Sequence, residues 1–265
     1  MQAKQFLRNT RRHKRLKFAK QELPFFHLVP NMVTLTGLMI GFCAIRWALI
    51  GDWDKACLAV VACYVTDFLD GGLARLLKAT SSLGAELDSF SDLISFGVTP
   101  ALMLHLYVST LSTFDYWPLS LIFVVCCTLR LARFNISPPN MQSGTFFQGV
   151  PSPSAALLVL APIVMHNMLR IEWAISPFFF IPLVSIVAAL MISKIPTISL
   201  KKLLLPRKVL APLLVVFCIA ITLAIMFPWH CFVLFCAVYL GLIPINYARH
   251  RKAKRIAHQQ PQTED

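Results

Sequence analysis

Apolar windows close to the length of a bilayer span succeed one another through most of this chain, at roughly 30–50, 55–79, 84–109, 115–136, 152–170, 176–194, 209–227 and 229–247. A helix needs about 20 apolar residues to cross a hydrocarbon core of about 30 Å, and inside lipid its backbone must satisfy its own hydrogen bonds. The windows therefore predict an all-α, polytopic integral membrane protein of about eight transmembrane helices. Composition agrees, since 57% of the 265 residues are hydrophobic and 14% are charged, against about a quarter charged in a soluble domain.

A net charge of +13 would suggest nucleic acid as a partner for a soluble protein. Here the basic residues flank apolar windows, so they read as topology signals and as attraction to anionic lipid, with no nucleic-acid partner expected. Residues 1–29 carry eight Lys/Arg, and further positive charge falls at Lys78, at Arg130 and Arg133, in the loop from Lys194 to Lys208 and in the tail from Arg249 to Arg255. The alternate loops, such as Gly51–Asp54 and Ser112–Trp117, are short and nearly free of Lys and Arg. The positive-inside rule then puts both termini in the cytoplasm. Three segments are expected: a basic cytoplasmic arm at 1–29, a transmembrane catalytic domain at 30–247 and a basic cytoplasmic tail at 248–265. The basic N-terminus lacks the short apolar core and small-residue cleavage site of a removable signal. The cysteines lie in or beside apolar segments without CxxC spacing, so neither a disulfide framework nor a zinc site is expected.

Four aspartates interrupt this lipid-directed sequence within 26 residues. Asp67 and Asp70 are spaced i, i+3 and Asp88 and Asp92 are spaced i, i+4, so on helices each pair shares a face. Each charge at bilayer depth costs roughly 2.5–3.5 kcal/mol on insertion scales, which calls for compensation. Between the pairs, Lys78 to Gly84 can turn the chain at the cytoplasmic surface, giving a hairpin whose acids face one another. Hard oxygen ligands favour divalent Mg2+ or Mn2+, and two ions sharing four carboxylates is the economical arrangement. Gly71, Gly72 and Gly84 leave the backbone open to a ligand's phosphates or allow close helix packing. Arg75 either pairs with an acid or grips a phosphate. Asn31 and Thr34 either hydrogen-bond a base or sugar or cap the first span.

The order Asp67-x-x-Asp70-Gly71-x-x-Ala74-Arg75, eight intervening residues, then Gly84-x-x-x-Asp88-x-x-x-Asp92 matches at every fixed position the signature of the CDP-alcohol phosphatidyltransferases. The stretches LDSFSDLISFGVTPA at 87–101, Arg130-Leu-Ala-Arg133-Phe-Asn135 and Phe147-Gln-Gly149-Val-Pro151-Ser-Pro153 resemble the phosphatidylserine synthase branch, with Val150 where leucine is usual. The resemblance covers about residues 27–160. It implies a helical membrane bundle that transfers the phosphatidyl group of CDP-diacylglycerol to L-serine and releases CMP, assisted by two divalent ions on Asp67, Asp70, Asp88 and Asp92, with Asp92 as the catalytic base. By the same analogy Asn31, Thr34, Gly71, Ala74, Arg75 and Gly84 line the CDP-lipid site. Arg130, Arg133 and Asn135 are candidates for the acceptor or a lipid phosphate, the arginines alternatively serving as positive-inside anchors. A homodimer among membrane lipids is expected from the family, in the cell membrane, which is the inner membrane in a Gram-negative bacterium. Choline, inositol phosphate or glycerol phosphate are alternative acceptors. A cation transporter would also put acids at membrane depth, but it calls for inverted repeats or broken helices, and the sequence shows no repeat.

Overall fold

A computed structural model describes residues 28–77, 81–112, 115–136, 146–193, 196–198, 219–220 and 222–259. The basic arm up to residue 27, the turn at Lys78, most of the loop after Ser137, the Lys194–Lys208 loop apart from 196–198, and the greater part of the 209–227 window lie outside the described residues.

Within them the chain is a helical bundle. Its elements are α1 (Leu28–Leu49), α2 (Trp53–Leu76), α3 (Ser82–Asp92) running through a π turn (Leu93–Val98) into α4 (Thr99–Leu111), α5 (Trp117–Ile136), α6 (Ser152–Ile163) with a further π turn (Val164–Met168), α7 (Pro177–Ile192) and α8 (Pro228–Gln259). Four helical segments, Leu28–Leu49, Trp53–Leu76, Leu83–Leu111 and Trp117–Ile136, are long and apolar enough to cross a membrane. Ser152–Met168, Pro177–Ile192 and Pro228–Pro244 are shorter apolar helices. One addition to the helical expectation is a ribbon of three residues per strand, β1 (Phe146–Gln148) antiparallel to β2 (Pro196–Ile198), with Phe147 opposite Thr197.

Helix ends follow local chemistry. Asp52 precedes α2 and accepts from the Lys55 backbone N–H at 3.2 Å, after a turn at Gly51 whose φ is +80°. Ser81 precedes α3 and accepts from the Gly84 N–H at 3.0 Å, so each cap satisfies a donor that the helix leaves open. The π turn after Asp92 sits just before Pro100. A proline inside a helix lacks an N–H and crowds the carbonyl four residues back, and widening the turn to an i+5 bond, here Thr99 N–H to Ile94 O, accommodates it.

Helix α6 is the centre. Eleven of its twelve residues are buried, from Ser152 through Ile163 with only Pro153 excepted, so it is apolar on nearly every side, and α2, α4, α5, α7 and α8 pack against it. Close approach elsewhere uses small residues and hydroxyls rather than bulk. A Cβ at Gly37 would stand 2.8 Å from Thr66 Oγ1 on α2, and one at Gly41 would stand 2.8 Å from Ser95 Oγ in the π turn. Ser91 donates to the Thr34 carbonyl at 3.2 Å and Ser120 to the Ala101 carbonyl at 3.0 Å. Every cysteine among the described residues is a free thiol.

Gly149 fixes the path into α6. Its φ is +78°, and a Cβ there would meet the carbonyl oxygens of Met191 at 2.8 Å and Ser193 at 3.0 Å, both backbone atoms at the end of α7. Gly149→Ala is expected to destabilise the protein by about 1–3 kcal/mol through the left-handed backbone alone, with the contact adding to it. Thermal denaturation in detergent checks this; an unchanged midpoint would mean that the segment docks differently.

Candidate active site at the aspartate hairpin

Helices α2 and α3 carry the two acid pairs and are joined across residues 78–80, so their facing sides bring the acids together. One carboxylate oxygen each from Asp67, Asp70 and Asp88 lie within 4.8 Å of one another. Asp70 is 6% exposed, and its Oδ2 accepts from Thr34 Oγ1 on α1 at 2.7 Å. Three ionised carboxylates at that separation repel by about 3.5 kcal/mol per pair at an effective dielectric of 20, and one neutral hydroxyl does not offset it. The donor set is all hard oxygen, which fits a divalent cation such as magnesium, manganese or calcium.

A cavity of about 270 Å³ opens beside the acids. Asn31, Thr34, Gly71, Ala74, Arg75 and Gly84, the six residues expected to contact the CDP-lipid, all line it together with Asp67, Asp70 and Asp88. Pro30, Ser81 and Ala85 complete the wall. Nothing lies within 4 Å of a Cβ built at Gly71 or Gly72, so these glycines keep space open rather than pack helices. Close packing falls instead to Gly37 and Gly41. Gly84 does have neighbours: a Cβ there would stand 2.8 Å from Asn31 Oδ1 and 3.1 Å from Ser81 Oγ. Arg75 is exposed on the cavity wall, and among the described residues no ion pair engages its guanidinium.

Asp92 occupies a different position. It lines a recess with room for about one water molecule, which all four aspartates share with Thr66, Ser91 and Ser95. Its Oδ2 accepts from Ser152 Oγ at 3.3 Å, and Ser152 Oγ in turn accepts from Arg130 Nη1 at 2.6 Å. A fully buried hydroxyl on the central helix thus joins the last aspartate to an arginine of α5. The sequence pattern did not single out Ser152; it lies within the quoted Val-Pro-Ser-Pro stretch, but only the burial of α6 shows where its hydroxyl points. Arg133 and Asn135 go elsewhere. Arg133 Nη1 donates to the Ile192 carbonyl at 2.7 Å, a cation at the C-terminus of α7, and Asn135 exchanges hydrogen bonds with Ser89 at 2.9 and 3.2 Å. Neither lines the cavity or the recess.

A family model described as CDP-alcohol phosphatidyltransferase matches residues 27–195, and a second, described as CDP-alcohol phosphatidyltransferase 2, matches residues 208–244. The chain is 32% identical over 229 residues to the CDP-diacylglycerol–serine O-phosphatidyltransferase of Mycobacterium tuberculosis, covering 84% of this chain and 79% of that protein. It is 35% identical over 176 residues to the protein of the same description from Helicobacter pylori, covering 66% of this chain and 74% of the relative. With the one from Saccharomyces cerevisiae it shares 45% identity over 100 residues, 36% of each chain.

Proposed function

The chain belongs to the CDP-alcohol phosphatidyltransferase family, and from that premise we propose that it transfers the phosphatidyl group of CDP-diacylglycerol to the hydroxyl of L-serine, releasing CMP. The observation that carries this reading is the convergence of Asp67, Asp70 and Asp88 on one cavity, with Asp92 on the adjoining recess, the cavity walls holding open backbone and an arginine that no ion pair engages among the described residues. Relatives described as serine phosphatidyltransferases favour serine over choline, inositol phosphate or glycerol phosphate as acceptor.

In this mechanism Asp67, Asp70 and Asp88, with Asp92 as the fourth carboxylate, would hold two divalent ions, magnesium or manganese, which would supply charge neutralisation for the diphosphate and the departing CMP. Gly71 and Gly84 let the diphosphate approach the backbone, Arg75 pairs with a phosphate oxygen, and Asn31 and Thr34 face the nucleotide side. The serine hydroxyl attacks the lipid-side phosphorus in line. A new P–O bond forms, the bond to CMP breaks, and the hydroxyl proton passes to Asp92. Ser152 and Arg130 hold the Asp92 carboxylate in the orientation that receives it.

Soluble serine and CMP require a site at the cytoplasmic surface, which agrees with both termini in the cytoplasm, the basic segments 1–29 and 248–265 flanking the membrane domain at 30–247, and residence in the cell membrane. A homodimer belongs to the same proposal.

The test is CMP release and labelled lipid from detergent-solubilised protein, CDP-diacylglycerol, a divalent salt and labelled serine against a panel of alcohols. CMP and labelled phosphatidylserine are the expected products. No CMP with any acceptor would overturn the enzyme reading, and CMP with another alcohol only would overturn serine. Gly84→Ala is expected to raise KM for CDP-diacylglycerol about tenfold, a loss of about 1.4 kcal/mol of donor binding, because the methyl group needs the position held by Asn31 Oδ1. Unchanged donor kinetics in that variant would place the CDP group elsewhere.

A further inference from the structure

The last helix, whose sequence shows no reactive pattern, brings a hydroxyl to the acceptor side of the site. Helix α8 packs against α6, with Cys236 Sγ 3.7 Å from the Leu157 carbonyl, and Phe235 stands 6.5 Å from the Tyr64 ring of α2 and 6.0 Å from the Tyr239 ring. The Tyr239 ring is thereby fixed, and its hydroxyl oxygen is buried with no hydrogen-bond partner among the described residues. Its polar neighbours are the Ser154 hydroxyl, which it shares with Tyr64 and which falls short of a well-formed hydrogen bond to it, and the Arg130 guanidinium. A buried hydroxyl left unpaired is costly, so such a group ordinarily has a partner in some bound state.

We propose that Tyr239 is an acceptor-binding residue whose hydroxyl, with the Arg130 guanidinium, receives the carboxylate of the amino-acid acceptor. This rests on the reading of serine as acceptor. Arg130 has only donors to offer and the phenol adds another, so the pair selects an anion. Arg130 reaches Asp92 through one hydroxyl, that of Ser152. In serine the carboxylate and the hydroxyl are separated by two carbons, so a carboxylate held at Arg130 leaves the hydroxyl on the Asp92 side. The diphosphate is the competing anion, but the open glycines and Arg75 that suit it lie on the cavity wall, which includes neither Arg130 nor Tyr239.

The experiment compares the full-length wild type with Tyr239→Phe, which keeps the ring against Phe235. Steady-state kinetics are run with L-serine and with serinol, in which a hydroxymethyl group replaces the carboxylate, at saturating CDP-diacylglycerol, and again with the lipid varied. The expected result is a rise in KM for serine of about tenfold or more, with kcat and the KM for CDP-diacylglycerol unchanged and the preference for serine over serinol reduced. An unchanged KM for serine, equal losses with serine and serinol, or a rise confined to the lipid KM would each overturn the proposal, the last assigning the hydroxyl to a lipid phosphate. If Tyr239→Phe does not fold, the wild type still decides: no preference for serine over serinol would overturn the carboxylate contact. Failure of the wild type to use serine at all would be recognised separately, as failure of the underlying reading.

Discussion

Asp92→Asn should lower kcat by about a thousandfold or more while leaving the protein folded, as measured by CMP release and by thermal denaturation on the same preparation. General base catalysis contributes about 10²–10⁴-fold, and an asparagine amide cannot accept the serine proton. The substitution is nearly isosteric, and the amide oxygen can still accept the hydrogen bond that Ser152 gives to Oδ2 at 3.3 Å. Stability should change little, because removing one of four mutually repelling charges offsets what is lost with Ser152. Wild-type turnover in this variant would exclude Asp92 as the base. A kcat lowered less than tenfold would point to a base that is not on the hairpin.

The second large effect is on metal. Chelation with excess EDTA should abolish turnover, and a divalent salt should restore it, magnesium or manganese best. Asp70→Asn should require far more metal for half-maximal activity, because Asp70 is the most enclosed of the cavity acids and the one that Thr34 orients. Thr34→Ala, which removes the 2.7 Å hydrogen bond to Asp70 together with a 3.1 Å contact to the Pro30 carbonyl of its own helix, should shift the metal requirement in the same direction by less, about three- to tenfold for a hydrogen bond of about 1 kcal/mol. Retained activity after exhaustive chelation would sink the metal assignment. An Asp70→Asn protein with an unchanged metal requirement would move the ion off this carboxylate.

Much of the site was legible because its chemistry is local in sequence. Asp67 and Asp70 share one helix face, Asp88 and Asp92 another, and a short turn obliges the faces to meet. The spacing alone carries that geometry. Asn31 and Thr34 were legible as polar groups at the start of an apolar span, but their place at the site came only through resemblance, since nothing in α1 states which face turns toward α2. The glycine pair Gly37 and Gly41, which does state it, reads as ordinary in an apolar helix. Arg133 illustrates the opposite case: a basic residue close to the site in sequence is taken up by a carbonyl at the end of α7, 59 residues further on. Ser152 and Tyr239 were invisible as site residues because serines and tyrosines abound in membrane helices, and what distinguishes these two is where tertiary packing sends them. The small ribbon has the same origin. Its two strands are about fifty residues apart in sequence and are matched only once α7 has brought their ends together.

The central position of α6 also bears on how the protein is made. Chains emerge N-terminus first, so α1 to α5, carrying all four aspartates, are made before the helix against which α2, α4 and α5 pack. Until Ser152 to Ile163 arrive, the bundle has a vacant axis and Asp92 lacks the hydroxyl that joins it to Arg130. The aspartate hairpin is therefore made early, and under the proposed mechanism it becomes competent only late, once Ser152 is in place.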